Sequence, residues 1–97
     1  KMLTSKQRAY LRGLANGIPA IFQIGKNGIN DNMIQQIKDA LEARELIKVH
    51  VLESSMLDVR EACNEIAALT GSEPVQVIGS KFVLYKESKD NKSIELT

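Results

Sequence analysis

Residues 20–37, "AIFQIGKNGINDNMIQQI", decide how this chain is read. An apolar pentapeptide ending at Ile24 runs into Gly25-Lys26-Asn27-Gly28, and that loop runs into a segment that Asn30 can cap as a helix. Ala20, Phe22 and Ile24 alternate onto one side of a strand. Met33, Ile34, Ile37, Ala40 and Leu41 instead recur at helical spacing and leave Gln35, Lys38, Asp39 and Glu42 for water. The hydrophobic period therefore changes from strand to helix across the glycines.

Such a strand-to-helix junction can turn bare backbone N–H groups toward an anion. Gly25 and Gly28 allow close approach because they lack Cβ, and Lys26 and Asn27 stand at the tip. The same letters also suit a plain turn, with Asn27-Gly28 supplying a left-handed bend. A nucleotide pocket is disfavoured: the loop lacks both the Gly-Lys-Ser/Thr ending of a P-loop and the G-x-G-x-x-G spacing of a dinucleotide fold. Asn30 and Asp31 occupy the helix start and Asp31 partly repels phosphate, so contact is expected from the loop backbone and Lys26.

Upstream, "LTSKQRAYLRGLANGIP" reads as a first helix that Thr4 or Ser5 can cap. Its stripe is Leu3, Gln7, Leu11, Leu14 and Ile18, and Gly17 with Pro19 stops it. Arg8 and Arg12 fall on one flank and Lys6 on the other. Net charge is only +1, but it is segregated: residues 1–30 hold five basic residues (Lys1, Lys6, Arg8, Arg12 and Lys26) and no acid, whereas residues 31–97 hold eight basic and twelve acidic residues. A basic end of this kind suits an anionic partner, most commonly nucleic acid, or is simply a solvated face.

Downstream, "ELIKVHVLE" alternates Ile47, Val49 and Val51 against Lys48 and His50, a strand with one buried face. "SSMLDVREACNEIAALTG" is a third helix, with Ser55 and Asp58 spaced as a capping box, Val59, Ala62, Cys63, Ile66 and Leu69 inward, and Gly71 as its stop. "EPVQVIGSKFVLYKE" is a hairpin turning at Gly79-Ser80. The tail from Ser88 to Thr97 is polar and expected to be loosely held. The element order α-β-α-β-α-β-β predicts one α/β domain over residues 1–97, with three helices and a four-stranded mixed sheet. Polar Gln23, Lys48, His50 and Gln76 suggest a largely two-layer arrangement. Where the first helix docks is not decided by pattern.

Composition excludes several classes. Hydrophobic residues make up 43% and charged residues 26%, as in an ordinary folded domain. No apolar stretch is long enough to cross a membrane and the first ten residues are too polar for a signal peptide, so a cytoplasmic protein without membrane association is expected. Catalysis lacks support. His50 is the sole histidine and has no acid at a suggestive spacing, Cys63 lies on an apolar helix face, and no metal-ligand cluster occurs. Neither a cofactor nor a small-molecule substrate is expected. With four aromatics, of which Phe22 and Phe82 suit the core, a nucleic-acid partner would be held through phosphates and shape, with Lys48, His50 and Lys81 extending the surface.

Taken together, "LTSKQRAYLRGLA", "IFQIGKNGI", "ALEARELIKV", the Thr70-Gly71 pair closing the third helix and "VQVIGSKFVLYKES" resemble the CRM domain, the chloroplast RNA splicing and ribosome maturation family, and most of all its short bacterial YhbY-like members. The likeness runs from Leu3 to about Ser88. It implies a fold similar to the C-terminal domain of translation initiation factor 3 and a protein that binds RNA in precursors of the large ribosomal subunit. It puts the family's G-x-x-G loop on Gly25, Lys26, Asn27 and Gly28, and its basic first helix on Lys6, Arg8 and Arg12. The extra basic residues of multi-domain plant relatives have no counterpart here, so ribosome assembly is expected over intron splicing. The expectation is thus a monomeric, non-enzymatic RNA-binding assembly factor. The alternative is a protein-interaction module whose basic helix docks on an acidic partner, and a phosphate-handling enzyme ranks last.

Overall fold

Strand and helix periods succeed one another as the sequence predicts. A computed structural model describes residues 2–97, Lys1 lying outside them. The elements are α1 (Ser5–Ala15), β1 (Phe22–Ile24), α2 (Asp31–Arg44), β2 (Leu46–Val51), a single 3₁₀ turn (Glu53–Ser55), α3 (Val59–Thr70), β3 (Glu73–Ile78) and β4 (Lys81–Tyr85). The sheet order is β1-β2-β4-β3. α2 carries the chain from β1 to its parallel neighbour β2, and the hairpin at Gly79, where φ is +59°, folds β4 back between β2 and β3, antiparallel to both.

One sheet face is apolar throughout. Ile24, Ile47, Val49, Val51, Phe82 and Leu84 meet Ile37 and Leu41 of α2 and Ala62, Cys63, Ile66 and Ala67 of α3, all buried. The other face corrects the two-layer expectation. Leu46 stands on the same side as Lys48 but is buried, and Val75, Val83 and Tyr85 join it beneath Leu11 and Ala15 of α1. β4 is buried on both faces, the reason "FVLY" reads as a continuous apolar run rather than an alternation. The molecule has three layers, and α1 covers part of the outer face.

Local signals place the helix ends. Thr4 and Gln7 form a reciprocal capping box for α1: the Gln7 N–H donates to Thr4 Oγ1 at 3.1 Å and the Thr4 N–H to Gln7 Oε1 at 3.0 Å. Gln7 is therefore a cap rather than a core residue, while Ala15 takes the buried place expected of Leu14, which is 38% exposed. α3 starts at Val59, not at Ser55. Asp58 is its cap, accepting from the Glu61 N–H, and Ser55 instead donates from Oγ to the Leu52 carbonyl in the 3₁₀ turn. Leu69 is exposed and Thr70 buried, its hydroxyl donating to the Ile66 carbonyl at 2.8 Å.

Residues 88–97 have no regular structure, yet the tail expected to be loosely held returns to the body. Buried Glu45 accepts from the N–H groups of Ser88, Ser93 and Ile94 at 2.7–2.9 Å, and Glu42 from those of Lys89 and Asp90 and from the Ser88 hydroxyl. Ile94 and Leu96 then pack onto the core under α1. Two acids on one helix end hold the tail, a pairing that polarity alone does not reveal.

Candidate nucleic-acid interface

Because registered partners project to one side of a sheet, pairing fixes what lies on the outer face beyond α1. One row runs across all four strands, Gln23 beside His50, His50 beside Lys81 and Lys81 beside Ile78. The next row is Lys48, Val83 and Gln76, in which Val83 is sealed beneath α1 and Lys48 and Gln76 are half-buried at its border, and the one with Leu46 and Tyr85 lies wholly under α1. Lys48 and His50 are half-buried and Lys81 is exposed. Glu73, which alone among the strand residues carries a carboxylate, stands opposite Tyr85 at the far end. These two rows thus present two ammonium groups, an imidazole, two amides and the exposed Ile78, with no acid among them.

The Gly25–Gly28 loop adjoins these rows, directly after β1. The Gly28 N–H donates to the Gly25 carbonyl at 2.9 Å, closing a four-residue turn. Among the described residues the N–H groups of Lys26 and Asn27 at its tip have no protein acceptor, and both side chains are exposed. The two glycines differ. Gly28 has φ +66°, which L side chains rarely adopt, whereas Asn27 does not share the left-handed conformation. Gly25 has no such need, and a Cβ there would meet Leu52 Cδ1 and Ser54 Oγ at an ordinary 3.6 Å. The fold requires Gly28 and leaves Gly25 replaceable. Asn30 closes the helix start by accepting from the Met33 N–H at 2.9 Å, so α2 offers little at its own cap. Asp31, the first residue of α2, and Glu53, in the 3₁₀ turn, are exposed at the same end.

α1 forms the other border. Arg8 reaches Pro74 in β3, while Leu14 and Ile18 line a groove with Arg44, Leu46 and Ile47 at the start of β2, so the helix crosses the strands. The flank bearing Leu3 and Gln7 meets the tail, Gln7 Nε2 donating to the Thr97 carbonyl at 3.4 Å. Arg8 and Arg12 lie on the opposite flank, at about 100° per residue, and face the uncovered rows. Arg8 is committed in part to the fold, since its Nε donates to the Pro74 carbonyl at 3.3 Å. Lys6 is exposed but lies about 160° around the helix from Arg8, so Arg8 and Arg12 lie on the flank of α1 that borders the face carrying Lys48 and Lys81, and Lys6 lies apart. Gln23 and Gln76, read from sequence only as signs of a wet sheet face, prove to share that face with the cations. Their signal was the period-two alternation, but only the register assembles them.

The remaining reactive groups sit elsewhere. Cys63 is fully buried in the α2–α3 core and burial pushes its thiol up to about 11. Among the described residues no group of histidine, cysteine and carboxylates could hold a metal, and no helix is long and apolar enough to cross a membrane. The perturbed carboxylates hold the tail. Hydrogen bonds from the Asp90 N–H, the Ser88 hydroxyl and the Lys89 N–H lower Glu42 to about 2. Burial would raise Glu45, but the N–H groups of Ser88, Ser93 and Ile94 outweigh it and its pKa is lowered.

Known proteins match along the whole chain. The Bacillus subtilis protein named "Probable RNA-binding protein YqeI" is 54% identical over 95 residues, covering 98% of this chain and 99% of its own. A Haemophilus influenzae protein named "RNA-binding protein" is 34% identical over 90 residues, covering 93% and 91%. The solution structure of the hypothetical protein SAV1595 from Staphylococcus aureus superposes with a TM-score of 0.78 at 56% identity, covering 99% of this chain and all of that one. The family model described as the CRS1/YhbY (CRM) domain matches residues 3–86, from the Leu3 anchor of α1 to the end of the hairpin, and the chain belongs to that family.

Proposed function

We propose that this protein binds RNA without catalysing a reaction, and that it does so on precursors of the large ribosomal subunit as an assembly factor. The observation that carries the reading is the continuity of one surface: the unpaired Lys26 and Asn27 N–H groups, the Gln23–His50–Lys81 row, Lys48 and the Arg12 flank of α1 adjoin one another with no carboxylate on the strands between. Phosphate oxygens suit such donors, the loop through backbone N–H and Lys26, the sheet and α1 through ammonium and guanidinium groups. Gly25 supports the same reading, because neither its conformation nor its packing demands glycine while close approach of a ribose-phosphate chain does. The names of the relatives point the same way, and the ribosomal setting rests on the family resemblance.

The test pairs Lys26→Asp with Asn27→Asp. The double variant should keep its circular dichroism, lose affinity for a large-subunit ribosomal RNA transcript, and leave the precursor particles in a sucrose gradient. Three to five phosphate contacts give the native protein a log-log salt slope of about −2 to −4. Undiminished, salt-sensitive binding by the folded variant removes the loop from the mechanism. Retention on precursor particles after RNA binding is lost supports instead a protein partner docked on α1.

A further inference from the structure

We infer that the RNA recognised by this face is double-helical; the inference rests on the RNA-binding reading and specifies the class of RNA. The surface has two separated cationic borders. Arg12 on α1 stands at one side and Lys26 at the tip of the loop at the other. Between them lie the Lys48 and His50 rows, and from Leu46 beneath α1 to His50 is about 13 Å at about 3.3 Å per residue. One phosphate chain can follow one border. Two phosphate chains with sugar edges between them match two borders with a floor, which is what the wide, shallow minor groove of A-form RNA presents.

The floor has the chemistry for those edges. Gln23 and Gln76 carry amides, each both donor and acceptor, and a 2′-hydroxyl is likewise both. What the floor lacks is equally informative. Phe22 and Phe82 belong to the opposite, α2–α3 face of the sheet, Tyr85 is buried beneath α1, and Tyr10 is exposed on the α1 flank opposite Arg12. Among the described residues no phenylalanine or tyrosine ring reaches this half of the face, whose one aromatic ring is the half-buried His50 imidazole, and stacking worth about 1–3 kcal/mol per base is the main attraction of single-strand binders. An unpaired strand would meet phosphate contacts along one border and at most that single ring. Exposed Asp31 and Glu53 at the same end of the molecule disfavour phosphate in their own vicinity.

Three fluorescein-labelled probes of one sequence test the inference by anisotropy at fixed salt: a 20-base-pair RNA duplex, one of its strands designed to stay unstructured, and the corresponding DNA duplex. The RNA duplex should bind at least about tenfold more tightly than the single strand, since it engages both borders, and more tightly than DNA. The double variant Gln23→Ala with Gln76→Ala should keep its fold and weaken the RNA duplex several-fold more than the DNA duplex or the single strand, narrowing the RNA-to-DNA duplex ratio. Lys48→Ala should weaken both duplexes alike. Single-stranded RNA binding as tightly as the duplex overturns the inference and leaves the RNA-binding reading standing. If none of the RNA probes binds, and a ribosomal RNA transcript does not either, both fall.

Discussion

The outer face of the sheet divides into two halves that treat charge in opposite ways. At the Leu46–Tyr85 end the chain answers its own charges: Glu42 and Glu45 are occupied by the N–H groups of the C-terminal segment, and α1 with Ile94 and Leu96 seals the apolar rows. At the Gln23–Lys81 end the cations face one another with no acid on the strands, and the Lys26 and Asn27 N–H groups have no internal acceptor. The lesson is that the acidic excess of residues 31–97 does not cancel the basic excess of residues 1–30 in space. Part of it holds the protein together, and the cations are left for something outside.

Breaking the closed half should have the largest effect. Glu45→Ala strands three backbone N–H groups, and loss of such charge-assisted bonds should cost about 2–4 kcal/mol, read as a fall in the urea midpoint at unchanged slope. The affinity of the folded fraction for RNA should change little, because Glu45 is remote from the open rows. The open half answers in the other observable. Lys26→Asp with Asn27→Asp should reduce RNA affinity by on the order of tenfold to a hundredfold while the urea midpoint stays within about 0.5 kcal/mol of native.

The two glycines sharpen the contrast within a single loop. Gly28→Ala forces a Cβ into a left-handed conformation and should cost about 1 kcal/mol of stability. Gly25→Ala should leave the melting temperature unchanged and weaken RNA binding several-fold, as only the bound state needs the space. Equal loss of stability in both variants would make the loop a turn and nothing more.

Acid provides a further test of the closed half. Glu42 titrates lower in the folded protein than its ordinary 4.5, at about 2, and Glu45 is lowered as well. A depressed folded pKa means that their contribution is intact above pH 4.5 and is lost as pH falls toward 2. Glu42→Gln should therefore flatten the dependence of stability on pH in that window, measured by thermal melts. The smallest effect belongs to Lys81→Ala, which should reduce the salt slope of RNA binding by about 1 and affinity only a few-fold.

Much of this was legible in the sequence where one period decided one element. The switch at Gly25–Gly28, the Asn30 cap and the Gly79 turn all read locally, and the mixed four-stranded sheet followed from their order. The failures have a shared cause. Whether Leu46 is buried depends on α1 arriving from more than 30 residues away, and whether the tail is held depends on Glu42 and Glu45 at similar remove. Gln7 has helical-core spacing, yet its amide is better used closing the capping box. For the site, the loop was readable as a candidate, but the Gln23–His50–Lys81 row exists only once β4 inserts beside β2. Helical spacing already sets Lys6 on the flank away from Arg8 and Arg12, but only the docking of α1 shows which flank borders the open rows.

The central claim is that the open half, with its loop, is where RNA is met. Backbone amide chemical shifts of ¹⁵N-labelled protein titrated with the RNA duplex test it most directly. The account predicts the largest changes at Lys26 and Asn27, followed by Gln23, Lys48, His50 and Lys81, with the α2–α3 face and the Ser88–Ile94 amides unmoved. Changes centred on α2 and α3, or on the tail, with Lys26 and Asn27 silent, would contradict it.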